Sequence, residues 1–149
     1  MKYVDLTEMI DYRPYLSYLE TIKEELPKNT RDYATRKEHW DFSSEYCPHD
    51  YWLESLNFKN INNSEKFTLS LKFTTLKYQL ILDYEKVIKY SFKVKNFEND
   101  FKMLGSQIVI DEIRIKDDDK NVIIHEIALN YGNLLIECSD MNAQWVEII

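Results

Sequence analysis

The feature that most constrains this chain is a change in the period of its apolar residues near position 50. Before it, Tyr15, Leu16, Tyr18, Leu19, Ile22 and Leu26 recur at intervals of three and four, opposite Ser17, Glu20, Lys23, Glu24 and Glu25. That spacing builds one apolar face on an amphipathic helix, which runs from Pro14 and ends at Pro27. After it the period is two. Phe67, Leu69, Leu71 and Phe73 alternate with Lys66, Thr68, Ser70 and Lys72, and Ile88, Tyr90, Phe92 and Val94 alternate with Lys89, Ser91, Lys93 and Lys95. Such alternation belongs to strands with one dry and one wet face. Weaker runs of the same kind cover 53–61, 78–83, 108–116, 122–129, 134–139 and 144–149. The links between runs are short and rich in Asn and Asp, as at Asn62-Asn63-Ser64, Asp117-Asp118-Asp119-Lys120 and Asn130-Tyr131-Gly132-Asn133. Links of that length make hairpins and leave no room for the helical crossovers of a parallel sheet.

The helical part holds two or three elements. Asp5 followed by Glu8 has the form of a capping box for a short first helix, and Thr30 is placed to cap a third running to about Asp41. The expected fold is therefore α+β. Helices in 1–48 precede about eight antiparallel strands in 49–149, curled into one sheet or a partial barrel, in a single domain over 1–149.

Composition removes several chemistries. The chain has two glycines, Gly105 and Gly132, in 149 residues, and neither starts a phosphate-binding loop or surrounds a nucleophilic serine. Cys47 and Cys138 lie far apart and form no metal-ligand or disulfide framework. The opening residues lack a basic stretch followed by an apolar one, and no apolar run approaches the ~20 residues of a membrane helix. The expectation is a cytoplasmic protein with no membrane association. Lysine outnumbers arginine fifteen to four and alanine occurs three times, a bias that suits an AT-rich bacterial genome.

The net charge of −7 divides unevenly, with −4 over residues 1–50, +2 over 51–100 and −5 over 101–149. The basic middle carries Lys66, Lys72, Lys89, Lys93 and Lys95. Their aromatic neighbours alternate with them onto the opposite face, so a nucleic-acid platform is not expected. His49-Asp50 has the form of a metal-binding pair, yet the chain holds only two further histidines, His39 and His125, and no metal or cofactor is expected. The Asp117–Asp119 run reads as a solvated turn.

Two constellations remain. His125 shares a strand face with Ile123, Ile127 and Leu129, and Asp111 points the same way as its apolar neighbours. Together they form either a hydrogen-bonded core pair or a catalytic pair in a small-molecule-binding curled sheet. The acidic helical segment offers the other. Glu24, Asp32, Tyr33, Glu38, Trp40, Asp41 and Tyr46 combine carboxylates with large aromatics, which suits capture of a basic protein, although the aromatics would equally pack helices on the sheet.

The stretches His49-Asp50-x-x-Leu53-x-x-Leu56 and His125-x-Ile127-x-Leu129-x-x-Gly132-x-Leu134-x-Ile136 resemble the opening strand and closing hairpin of small bacterial β-rich proteins. Many of those are encoded beside polymorphic toxins as immunity proteins. The likeness spans residues 49–140. It departs at Tyr51, where a small polar residue is usual, and at Asn130-Tyr131-Gly132, which replaces an Asp-Gly turn. The resemblance implies a non-enzymatic antiparallel domain that neutralises a protein partner, here a basic toxin.

Overall fold

The computed structural model describes residues 1–60, 67–94 and 107–148. Its helices are α1 (Arg13–Ile22), α2 (Lys28–Ala34) and a 3₁₀ turn (Lys37–Trp40). Its strands are β1 (Trp52–Asn60), β2 (Phe67–Thr74), β3 (Tyr78–Glu85), β4 (Lys89–Val94), β5 (Ile108–Lys116), β6 (Asp119–Leu129), β7 (Gly132–Cys138) and β8 (Asp140–Glu147). The architecture is α+β, and every strand pairing is antiparallel. The expected residues Ile61, Asn62 to Ser64, Lys66, Lys95, Gly105 and Ile149 lie outside the described residues.

The single curled sheet or partial barrel is corrected. The strands form two four-stranded sheets, ordered β1-β2-β3-β8 and β4-β7-β6-β5, without closing a barrel. Two bent connections join them. Ser139 N donates to Glu85 O at 3.0 Å, and Ile88 N donates to Glu137 O at 2.8 Å, so hydrogen bonding continues around the corner from β3/β8 to β4/β7. Lys86 turns this corner with φ at 48°, in the left-handed region that side chains disfavour. Strands that change sheet at a bend are the usual way to make such a corner. The bridge of Trp52 to Gln107, with Ile108 N donating to Tyr51 O at 2.9 Å and Asp50 N to Ile108 O at 3.0 Å, brings β1 to β5.

The helical segment also differs from its expected form. Asp5 makes no helix; its Oδ1 accepts from Thr7 N at 2.9 Å and Thr7 Oγ1 at 2.8 Å, and its backbone bridges Asp11. Short side chains of this kind compete with helix by bonding the adjacent backbone. α1 stops at Ile22, four residues before Leu26, which packs into the core from the following turn. The helix expected from Thr30 to Asp41 breaks in two. Thr30 lies inside α2, fully buried, and its hydroxyl donates to Asp140 Oδ1 at 2.6 Å. At the break, Thr35 Oγ1 donates back to Arg31 O at 2.8 Å, and Arg36 is extended with its guanidinium 3.8 Å over the Trp145 ring.

The core runs from α1 and α2 through both sheets. Tyr15, Leu19, Ile22 and Tyr33 meet Leu69, Leu71, Phe73, Leu80 and Leu82 of one sheet and Ile113, Ile123, Ile127 and Leu134 of the other. The opposite face of β5 and β6 is also covered. There Glu112 is fully buried; its Oε1 accepts from Lys2 N at 3.0 Å and Arg114 Nη1 at 2.6 Å, and its Oε2 from Tyr3 N at 2.7 Å and Val4 N at 2.9 Å. One carboxylate thus pins residues 2–4 across the sheet.

Glu112→Ala strands three backbone donors and leaves Arg114 with Glu126 alone of its two carboxylates, so urea unfolding should show a loss of about 2–4 kcal/mol. Glu25→Ala, which removes an exposed partner of Lys120, should cost under about 1 kcal/mol. Equal losses in the two variants would contradict this ranking.

Candidate functional site

Register explains why a polar cluster can sit inside the core. β5 pairs Ile113 with His125 and Asp111 with Ile127, so Asp111 and His125 face the same layer of apolar side chains. The expected convergence is present, with His125 Nε2 2.8 Å from Asp111 Oδ2. Two further residues complete it from the helical segment. Tyr33 of α2 donates its hydroxyl to Asp111 Oδ2 at 2.8 Å, and His39 of the 3₁₀ turn places Nε2 2.7 Å from Asp111 Oδ1. Tyr84 of β3 approaches His125 Nδ1 at 2.8 Å from the other sheet.

The protonation pattern follows from these contacts. Burial alone would push the Asp111 carboxyl up, but the neighbouring His39 and the hydrogen bonds from both imidazoles outweigh it and hold it well below the usual carboxylate range. An ionised carboxylate only accepts, so both Nε2 atoms carry their protons toward it. Burial keeps the Tyr33 and Tyr84 hydroxyls protonated far above their ordinary range. His39 Nδ1 is buried without a hydrogen-bond partner.

This cluster ties the helical segment to both sheets. His125 is 0% exposed and Asp111 4%.

The acidic and aromatic residues expected at a partner surface fall into separate places. Tyr33 is buried in the cluster just described and cannot anchor a partner, because its hydroxyl satisfies Asp111. Glu24 and Asp32 are exposed but paired with Arg31 at 3.0 Å and Lys28 at 2.9 Å. Glu38 lies 3.7 Å from Arg36. Trp40 is half-buried, stacked on Tyr12 with centroids 5.1 Å apart. Asp41 is exposed and accepts from Ser43 N and Oγ, contacts that lower its carboxyl below the ordinary range. Tyr46 is exposed and packs on Tyr78 at 5.1 Å.

Asp41 and Tyr46 belong to a loop that walls an open cleft of about 500 Å³. Phe42, His49 and Asp50 form one side, Trp52 the floor of β1, and Leu76 and Tyr78 the other. Phe42 is 46% exposed and Leu76 81%, a large apolar outlay to leave in water. Charges sit at its mouth: Glu45 pairs with Lys77 at 3.0 Å, and His49 Nδ1 lies 3.0 Å from Asp50 Oδ2. Asp50 holds φ at 70°, and its backbone N donates to Ile108 O at 3.0 Å, which fixes the pair at the junction of loop and sheet. Burial pushes the Cys47 thiol up to about 11, so it remains a thiol and donates to His39 O. Among the described residues there is no group of three or more carboxylate, imidazole or thiol side chains arranged to hold a metal. Leu76, Phe42 and the cleft itself escape sequence reasoning, because only the fold brings the 41–52 loop against the β2–β3 turn. The one local signal is a leucine set in the polar turn Thr74-Thr75-Leu76-Lys77.

No family model matches the chain, and a search of curated proteins finds no match. Among the described residues, no helix is long and apolar enough to cross a membrane.

Asp111→Asn keeps the shape and removes the charge, and should cost about 3–5 kcal/mol at pH 7 by urea unfolding. Because the folded-state carboxyl titrates below its unfolded value of 3.8, its contribution is complete above that value and falls away as pH drops through the folded one. The gap between wild type and variant should therefore hold from pH 7 to about 5 and narrow by pH 3. A gap independent of pH would show that the charge is not what stabilises the cluster.

Proposed function

We propose that this chain is a non-enzymatic protein-binding module of the immunity type, which neutralises a basic partner protein through the cleft walled by the 41–52 loop. The observation that carries the reading is the juxtaposition of exposed Phe42 and Leu76 with Glu45 and Asp50 in the cleft, with exposed Asp41 and Tyr46 on the same loop beside it. Rigid aromatics beside carboxylates suit a lysine- or arginine-bearing segment, the apolar groups supplying contact area and the charges supplying orientation. The resemblance of residues 49–140 to toxin-neutralising proteins supports the same class. The burial of His125 and Asp111 argues against the small-molecule alternative. Of the seven residues first singled out, Asp41 and Tyr46 remain at the proposed surface. Glu24, Asp32 and Glu38 are left to long-range charge steering, and Trp40 supports the loop from beneath.

Isothermal titration with nine-residue peptides that flank a leucine or tyrosine with lysines tests the reading. Saturable binding is expected, weakened about tenfold or more by Phe42→Ala and by Tyr46→Ala. Asp50→Asn should weaken it through lost charge alone, since asparagine tolerates the positive φ at that position. Binding should also fall with added salt. Equal affinity for acidic counterparts of the peptides, or no saturable binding, would overturn the proposal.

A further inference from the structure

The four sheet edges of this molecule are not treated alike. β5 is capped by tyrosines of α1: Tyr15 Oη donates to Ile113 O at 3.0 Å and accepts from Ile113 N at 2.8 Å, while Ile115 N donates to Tyr18 Oη at 3.2 Å. β8 lies against α2, where Met141 N donates to Thr30 Oγ1 at 3.2 Å. Among the described residues, β1 beyond Trp52 pairs with β2 alone, and β4 pairs with β7 alone. Among the described residues, no helix covers either of these two edges.

The two bare edges meet at an aromatic seam. Leu56 and Phe58 pair with the buried Leu71 and Leu69, so they stand on the core face of β1, yet Phe58 is 39% exposed. Tyr90 and Phe92 pair with the buried Ile136 and Leu134, and Tyr90 is 47% exposed. Phe58 lies 4.8 Å from Tyr90 and 5.3 Å from Phe67, ring centroid to ring centroid. Here the sandwich opens, and apolar groups built for a core reach water. The surrounding charge is mostly basic, with Glu54 near the start of β1 and Glu137 of β7 3.9 Å from Lys89 as the carboxylates nearby. Residues 55–60, 67–74 and 86–94 contain Lys59, Lys72, Lys86, Lys89 and Lys93 and no aspartate or glutamate, in a chain of net charge −7.

We propose that this seam is a second docking surface, which takes an extended segment of a partner protein, alternating apolar and acidic residues, as a strand added to β1. Each feature selects that occupant. An uncapped edge supplies main-chain donors and acceptors at strand spacing. The seam between Phe58 and Tyr90 receives alternate apolar side chains, and the lysines meet the acidic ones. The same lysines act against a second copy of this chain, since antiparallel pairing of two β1 strands brings like charges together. They act for a peptide over a nucleic acid as well, because a strand uses the open edge that a stacked base leaves idle.

The test has two arms on the intact chain. Amide hydrogen exchange of the free protein, at a concentration where light scattering shows a monomer, should be fast over 54–60 relative to β3 and β6. Protection there would mean that the edge is already covered, and would overturn the proposal. In the second arm, a fluorescent nine-residue probe of alternating valine or phenylalanine with glutamate is titrated by anisotropy. Binding should protect 54–60. The double substitution Lys59→Glu and Lys93→Glu, at two exposed positions, should weaken it by about tenfold or more. A probe methylated on alternate backbone nitrogens, with the same side chains, should bind about tenfold more weakly because it cannot pair as a strand. Tighter binding of single-stranded oligouridine than of the probe, or a dimer held through β1, would contradict the assignment. Phe42→Ala should leave this binding unchanged, which separates its failure from that of the cleft.

Discussion

One buried carboxylate holds three parts of this molecule in register. Asp111 leaves water at a cost that an unpartnered charge could not bear, and it is accepted in the core because donors from three distant segments converge on it. Tyr33 lies 78 residues away in sequence, His39 72 and His125 14. Tyr84 extends the chain of hydrogen bonds to the other sheet. Every donor must be present for the charge to be tolerated, so helices and both sheets become mutually dependent. That requirement also explains the helical segment's irregular path. His39 reaches Asp111 from a 3₁₀ turn, which an uninterrupted helix from Thr30 would not provide.

The neighbouring residue does the same on the other side of the sheet. Side chains alternate along a strand, so Asp111 and Glu112 gather opposite faces of β5: one collects the helical segment, the other residues 2–4 and Arg114. β5 and β6 are consequently covered on both faces. The exposed apolar surface is left elsewhere, at the cleft beside the 41–52 loop and at the seam between β1 and β4. Both proposed docking surfaces lie where this packing stops. The loop hangs from the knot directly, because it follows the 3₁₀ turn and Cys47 donates its thiol hydrogen to the carbonyl of His39.

Much of the sheet was legible in the sequence because its signal is local. Alternation in 67–73, 108–116 and 122–129 locates β2, β5 and most of β6, and places Asp111 on the same face as His125. The residues Asp83-Tyr84-Glu85-Lys86 were legible as a turn between two strands, but not as a corner between two sheets, since a left-handed lysine leaves no mark on a period-two pattern. Helix ends were legible only in part: Thr30 has the residue type of a cap, but Asp140 claims its hydroxyl from across the fold. The same limit governs the surfaces. Tyr33 and Tyr46 are alike as residue types, and only tertiary position makes one a core donor and leaves the other exposed on Tyr78. Leu56 and Phe58 carry a core pattern, yet they stand on an edge strand where the second sheet does not reach far enough to cover them.

The most direct test of this account is residue-resolved hydrogen exchange of Asp111→Asn beside wild type under native conditions. If the carboxylate is the tie, protection should fall together in residues 28–40, in the following loop to 52 and at the β5–β6 pairing, while the β2–β3 pairing keeps its wild-type rates. Faster exchange confined to β5 and β6, with the helical segment and the loop unchanged, would contradict it.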